Sequence, residues 1–181
     1  SNSLISNQTG NLYIRNQTND GDIIFQSDDG SGGDATYITL DGSATTTVFS
    51  KNTRHDDSVV AYFGAGNDLQ LYHDGTDSII KNTVGHLYIT TSTDDKDIIF
   101  QCDDGSGGLT QYIRVDGSAG LTQFDKDTKH VDSIKATFGN GGDLQIYHDG
   151  SNSYVSDAGT GHLILKGTNM NFQAANGESY L

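Results

Sequence analysis

The chain has 181 residues, with 23 glycines, no proline, 33% hydrophobic and 9% aromatic residues, and 24 acidic against 10 basic side chains. Of the acids, 23 are Asp and only Glu178 is Glu; Asp competes with the helical backbone for hydrogen bonds, so a helix-rich fold is excluded. A formal charge of −14 leaves no basic footprint for phosphates or for an anionic bilayer, so neither nucleic acid nor a membrane surface is an expected partner.

The longest apolar run, Val59 to Phe63, falls far short of the roughly 20 residues of a membrane span, and no membrane insertion is expected. The first residues lack the basic segment and apolar core of a secretory signal. Cys102 is the single cysteine, which rules out a disulfide within the chain and says little about redox compartment.

Internal repetition dominates the sequence. DIIFQSDDGSGG from Asp22 returns as DIIFQCDDGSGG from Asp97, and DLQLYHDG from Asp68 returns as DLQIYHDG from Asp143, both 75 residues on. Asn11 to Gly75 and His86 to Gly150 share 40 identities in 65 positions, and a third copy begins at Ser151. The chain therefore reads as one continuous array of about 2.4 repeats, residues 1–75, 76–150 and a partial 151–181. It begins and ends inside a repeat, so a segment of a longer protein is expected.

Short alternating or β-branched apolar segments, divided by Gly, Asp, Asn and Ser clusters, predict strands at Leu12 to Asn16, Asp22 to Gln26, Tyr37 to Leu40 and Thr46 to Phe49. Further strands are predicted at Ser58 to Phe63, Asp68 to His73 and Ser78 to Lys81. That makes seven per repeat, with equivalents 75 residues later and two more at His162 to Lys166 and Met170 to Gln173. In Asp68 to His73, Leu69, Leu71 and His73 share one face and Gln70 and Tyr72 the other; the expectation is one buried and one wet face. Asp41-Gly42, Asp74-Gly75, Asp116-Gly117 and Asp149-Gly150 predict turns in which Gly supplies a positive φ.

With a third of its residues apolar, a single chain has little material for a thick core. Two architectures solve this: a β-solenoid whose repeats stack on one another, or an intertwined trimeric β-prism in which narrow apolar stripes from three chains meet on one axis. The expected fold class is all-β, an elongated repetitive β-fibre of one of these kinds.

GGDLQIYHDGSNSYVSDAGTGHLILKGTN, Gly141 to Asn169, followed by NGESYL at the end, resembles repeats of predicted tail-fibre and other virion structural proteins of marine phages, those of cyanobacteria above all. The likeness extends over nearly the whole chain, because DLQLYHDG and GHLYI carry the same pattern in the other copies. It implies a homotrimeric, non-enzymatic virion fibre that reaches toward the host surface and contacts a glycan or protein receptor there, working on the virion and outside the cell. It brings no catalytic residue and no cofactor. The alternative is a calcium-stabilised extracellular adhesin repeat of a bacterium, with a polysaccharide-cleaving tailspike third.

Candidate sites each have a structural reading beside the functional one. A depolymerase needs two carboxylates roughly 5 to 10 Å apart, and Asp is abundant, but Asp22, Asp28, Asp29, Asp41, Asp57, Asp68 and Asp74 all recur 75 residues on. An active site is built once and a turn in every repeat, so no catalytic residue is assigned. SDDGSGGD, Ser27 to Asp34, and CDDGSGG, Cys102 to Gly108, invite a calcium reading, yet Leu109 stands where the first copy has Asp34; the metal question stays open. The six histidines pair between copies, His55 with His130, His73 with His148 and His86 with His162, as structural residues do; a hydrogen-bonded strand end is expected for His73. Asn7 and Asn16 head glycosylation sequons, which in a phage protein made in bacteria, as the resemblance implies, are chance. Thr45, Thr46 and Thr47 do not form an ice-binding lattice, since the second copy reads Gly120, Leu121, Thr122. Tyr13, Tyr37, Tyr72, Tyr88, Tyr112 and Tyr147 are suited either to stack on sugars or to pack across strands.

Overall fold

In the computed structural model, which describes residues 2–177, the chain is all-β, with twelve strands and no helix among the described residues. None is therefore a helix long and apolar enough to cross a membrane. Glu178 and the rest of the terminal NGESYL string beyond Gly177 lie outside the described residues, as does Ser1. The strands form four antiparallel three-stranded meanders, none of them closed. The first holds β1 (Ile23–Asp28), β2 (Asp34–Asp41) and β3 (Thr46–Phe49), and the second β4 (Ala61–Phe63), β5 (Leu69–His73) and β6 (Ser78–Asn82). The third holds β7 (Ile98–Asp103), β8 (Leu109–Asp116) and β9 (Leu121–Phe124), and the fourth β10 (Ala136–Phe138), β11 (Leu144–His148) and β12 (Ser153–Asp157). The chain divides into two compact halves, Ser1–Tyr88 with the first two sheets and Ile89–Leu181 with the others.

The two full repeats adopt one backbone. Every strand boundary of β1 to β6 recurs 75 residues later in β7 to β12, and the bulge between Phe25 and Gln26 recurs between Phe100 and Gln101. The left-handed residues follow suit, from Asp20 and Asp95 (φ 56° in both) to Gly75 and Gly150 (103° and 99°). The second sheet spans position 75 and the fourth spans 150, so the phase that completes each sheet differs from a count starting at residue 1.

Three expectations need correction. Each 75-residue repeat carries six strands, because Leu12 to Asn16 and Leu87 to Thr91 form none, and neither does His162 to Lys166. Their alternation is strand-like, but no neighbouring segment of the same chain supplies a hydrogen-bonding ladder, and a strand exists only with a partner. Within Met170 to Gln173, only Gln173 makes an isolated bridge. The predicted strand from Ser58 starts three residues late, because Ser58 takes φ 64° and closes a turn, donating its N–H to the His73 carbonyl (2.7 Å) while Val59 donates to Asp56 (3.0 Å). The third correction concerns burial. Leu69 and Leu71 do share a face, paired with Phe63 and Ala61, but Leu71 is exposed while Tyr72 and Gln70 opposite are half-buried. No apolar side chain is buried among the described residues; Asp116 alone reaches that state.

The turns explain part of the composition. Gly75 and Gly150 have the positive φ predicted for them, but Gly42 and Gly117 do not. In the β2–β3 connection the left-handed position comes three residues later, at Thr45 (φ 54°) and Gly120 (φ 62°). A β-branched residue is strained there, whereas the second copy has placed glycine. Thr45→Gly is therefore expected to raise the stability of the first sheet by about 1 kcal/mol, and Gly120→Thr to lower that of the third by a similar amount, measured as opposite shifts in denaturant midpoint.

Candidate functional site

The acidic turns are built as cages of backbone donors. Asp29 Oδ1 accepts the N–H groups of Ser31 (2.7 Å) and Gly33 (3.1 Å), and Asp28 Oδ1 that of Gly30 (2.7 Å). Asp104 and Asp103 repeat this with Ser106, Gly108 and Gly105 at the same distances. Gly30 and Gly32, at φ 85° and 90°, let the loop curl around the carboxylate. Asp41 Oδ1 accepts from the Ser43 hydroxyl (2.7 Å) and the Ala44 N–H (2.8 Å), and Asp116 from Ser118 and Ala119. Donation by Ser31 and then Gly33 holds Asp29 below the ordinary carboxylate range, and donation by Ala44 and then Ser43 does the same for Asp41. These aspartates are turn-formers in every repeat. No group of three or more His, Cys, Asp or Glu gathers to hold a metal among the described residues.

In the β5–β6 and β11–β12 hairpins the same device closes the turn. Asp74 accepts from Thr76 (2.9 Å) and Asp77 (2.8 Å), and Asp149 from Ser151 (2.8 Å), Asn152 (2.7 Å) and the Tyr154 hydroxyl (2.8 Å). The Asn152 N–H, the Tyr154 hydroxyl and the Ser151 N–H, in that order, bring Asp149 down to about 2. Because the folded value lies below the ordinary 3.8, the turn's support is complete above that value and is lost as pH falls toward 2. A carboxyl titration by NMR should place the Asp149 midpoint near 2 and move it upward in Tyr154→Phe; a midpoint near 4 in the unaltered chain would refute the geometry.

His73 and His148 make the hydrogen bond expected of a strand-end histidine. His73 Nδ1 shares a hydrogen bond with the Ser78 hydroxyl (3.2 Å), and His148 Nδ1 with that of Ser153 (3.1 Å), across the strand ends. His86 lies edge-on to Tyr88 at 6.0 Å. The Tyr37 and Tyr112 hydroxyls donate to the Asp28 and Asp103 carbonyls at the acidic loops (3.4 and 3.2 Å). Asn16 donates to the Asp22 carbonyl (3.0 Å) and accepts the Thr18 N–H (3.0 Å). Cys102 is exposed.

Two clusters escaped sequence reasoning, and both lie where the second copy departs from the first. On β8, Arg114 replaces the Thr39 of β2. Its guanidinium donates to Gln123 (2.7 Å) and stands 3.6 Å from both Asp97 and Asp116. Gln111 and Gln123 both donate to Asp125, and these two bonds, ahead of the charges of Arg114 and Lys126, lower its pKa. On the fourth sheet, Tyr147 and Tyr154 stack at 4.7 Å and 15°, with the Lys135 ammonium 4.7 Å from the Tyr147 ring centre. Their first-copy equivalents are Tyr72, Ile79 and Val60. The same sheet carries an open groove of about 400 Å³ lined by Ala136, Ile146 and Val155 together with Tyr147 and Tyr154, and flanked by His130 and His148. The signal in the sequence was the list of unrepeated positions rather than the repeated motifs.

Compared with protein-family models, curated proteins and solved structures, the chain matches none.

Proposed function

We propose that the chain is a structural, non-enzymatic segment of a phage tail fibre or related virion appendage, assembled as an interleaved homotrimer that extends toward the host surface outside the cell. The observation that carries this reading is the absence of any buried apolar side chain among the described residues. The chain exposes 15270 Å², against roughly 8,500 Å² for a compact monomer of its mass and roughly 10,000 Å² for two separate halves by the same scaling. Within each half, no strand of one sheet lies against a strand of the other among the described residues, so each three-stranded ribbon lacks a second sheet of its own half to pack on, an arrangement with little stability alone. The excess surface is of the order that obligate oligomers bury, roughly 2,000 to 5,000 Å² or more per interface.

Three observations favour interleaving over a single-chain solenoid. A solenoid buries its stripes against its own next repeat, and here those stripes are open. Leu12 to Ile14, Leu87 to Ile89 and Leu163 to Leu165 are exposed and strand-like in sequence without a ladder, as segments are whose hydrogen-bonding partners belong to other chains. A three-stranded ribbon is only about 10 to 15 Å wide, and three such ribbons close a triangular core one side chain deep. Sedimentation equilibrium at micromolar concentration should give three times 19.3 kDa with a high frictional ratio. The mass of one chain would overturn the assembly, and that of two would replace the prism with a sandwich.

A further inference from the structure

We infer that one face of every sheet, the face of Phe25, Phe49, Phe63 and Leu71 with their counterparts Phe100, Phe124, Phe138 and Ile146, is where copies of the chain meet, and that the opposite face points outward and is the more variable between repeats. This rests on the homotrimer proposed above and assigns its inner surface.

Pairing fixes the faces. In the first sheet Ile23 sits opposite Leu40 and Leu40 opposite Thr47, while Phe25, Ile38 and Phe49 form the next row of the same face. Ile24, Thr39 and Val48 form a row of the other face. The two repeats then serve as an alignment within one molecule. Ile23, Phe25, Ile38, Thr47 and Phe49 return unchanged 75 residues on, and Leu40 returns as Val115. On the second face, Thr39 has become Arg114, Val48 has become Gln123 and Thr46 has become Leu121.

The second and fourth sheets behave alike. Ala61, Phe63, Leu69 and His73 return unchanged, and Leu71 and Ile80 return as Ile146 and Val155, all on one face. Across the sheet, Tyr62 has become Thr137, Ile79 has become Tyr154 and Lys81 has become Ser156. Along its apolar rows the first face thus exchanges aliphatics only for aliphatics, its other changes, Asp34 to Leu109, Thr36 to Gln111 and Asn82 to Asp157, falling beyond the bulge or at a strand end, whereas the second changes size, charge and polarity within its strands. Yet both are open in the single chain: Phe49 is 57% exposed and Tyr62 53%. A constraint that falls more heavily on the apolar rows of one of two equally open faces comes from something that covers them.

Charge and repetition identify the occupant as the chain itself. Each copy carries −14, so copies meet only where their charges are absent. The apolar rows of the constrained face hold no ionised residue, since its Asp28, Asp34, Asp103 and Asp157 stand at strand ends, whereas the other face holds Lys81 and Arg114 within its strands beside Asp41 and Asp116. Parallel copies in register set first repeat against first and second against second, so one contact geometry covers both apolar stripes. Any other partner would need a matching 75-residue repeat of its own.

Hydroxyl-radical footprinting of the assembled protein, normalised to intrinsic side-chain reactivity, tests this without a substitution. Phe49 and Phe124 should label at least five-fold more slowly than Tyr62 and Tyr154, although a lone chain exposes the phenylalanines more than the tyrosines. In sedimentation, Phe124→Gln should shift the mass from three chains to one, whereas Val48→Gln, which gives the first repeat what the second already has at that position, should leave it unchanged. Protected tyrosines with labelled phenylalanines, or both sets labelled in a protein of three-chain mass, would overturn the face assignment while leaving the trimer standing. A single-chain mass for the unaltered protein would instead remove the reading on which the assignment rests.

Discussion

Replacing Leu69 or Leu144 with Asp should abolish assembly and lower the melting temperature by 10 °C or more, while Asp28→Asn or Asp103→Asn should shift it by no more than about 1 °C. Within one chain Leu69 and Leu144 are half-buried, in rows with Phe63 and Phe138. A carboxylate there would be partly solvated in a lone chain and would cost little. In a closed assembly it would be dry and unpaired, at a cost of several kcal/mol, against a total stability of only about 5 to 15 kcal/mol. The size of the effect thus reports coverage by other copies. At Asp28 and Asp103 the group used is a single Oδ1 that accepts one N–H at 2.7 Å, and Asn offers the same acceptor. Melts of the four variants with and without calcium decide two matters together. A large loss from Asp28→Asn that appears only with calcium would turn the acidic loop into a cation site and favour the adhesin alternative. Full tolerance of Leu144→Asp would show that the apolar face stays wet.

The repeat period and the turn chemistry were legible because they are local: DDGSGG and HDG each need particular residues within a few positions. Strand placement succeeded for the same reason where alternation and turn signals agreed, as in Leu69 to His73. Ser58 was not legible, since serine carries no preference for the left-handed region that a backbone bond to His73 imposes. Leu12 to Asn16 failed differently. Alternation reports that a segment is suited to a sheet, but not which chain provides its neighbour, so a strand that needs another copy reads like one that pairs at home. Burial failed on the same ground, for a hydrophobic pattern says that a face requires cover and is silent on its source. The candidate sites divide likewise. The turn bonds of Asp28, Asp29, Asp41 and Asp74 follow from residues a few positions away, whereas Arg114, Lys135 and Tyr154 became visible only once the copies were compared for their differences.

Gly42→Ala and Gly117→Ala should each destabilise by about 1 to 3 kcal/mol, the range for forcing extra volume into a fixed space, although both glycines have φ values open to alanine. The cause is proximity. A Cβ on Gly42 would lie 2.5 Å from the Gly21 carbonyl oxygen, and one on Gly117 2.5 Å from that of Lys96. Neither obstacle is a flexible side chain that can swing aside. Both are backbone, and they are held in place because Asp22 Oδ1 accepts the Gly42 N–H and Asp97 Oδ1 the Gly117 N–H, each at 3.0 Å. Relieving the clash by backbone movement means giving up that bond, which joins the start of β1 to the end of β2 and the start of β7 to the end of β8. Gly161→Ala is the matched control, since its Cβ meets nothing within 4 Å and its φ is not left-handed; it should be silent. Hydrogen exchange localises the effect: in Gly117→Ala, amides of β7 and β8 should exchange faster while those of β1 and β2 keep their protection, and Gly42→Ala should give the reverse. Tolerance of both alanines, with protection intact at Asp22 and Asp97, would mean that the strand ends stand further apart than the 2.5 Å approach requires, and that Asp-Gly at these two positions serves the turn alone.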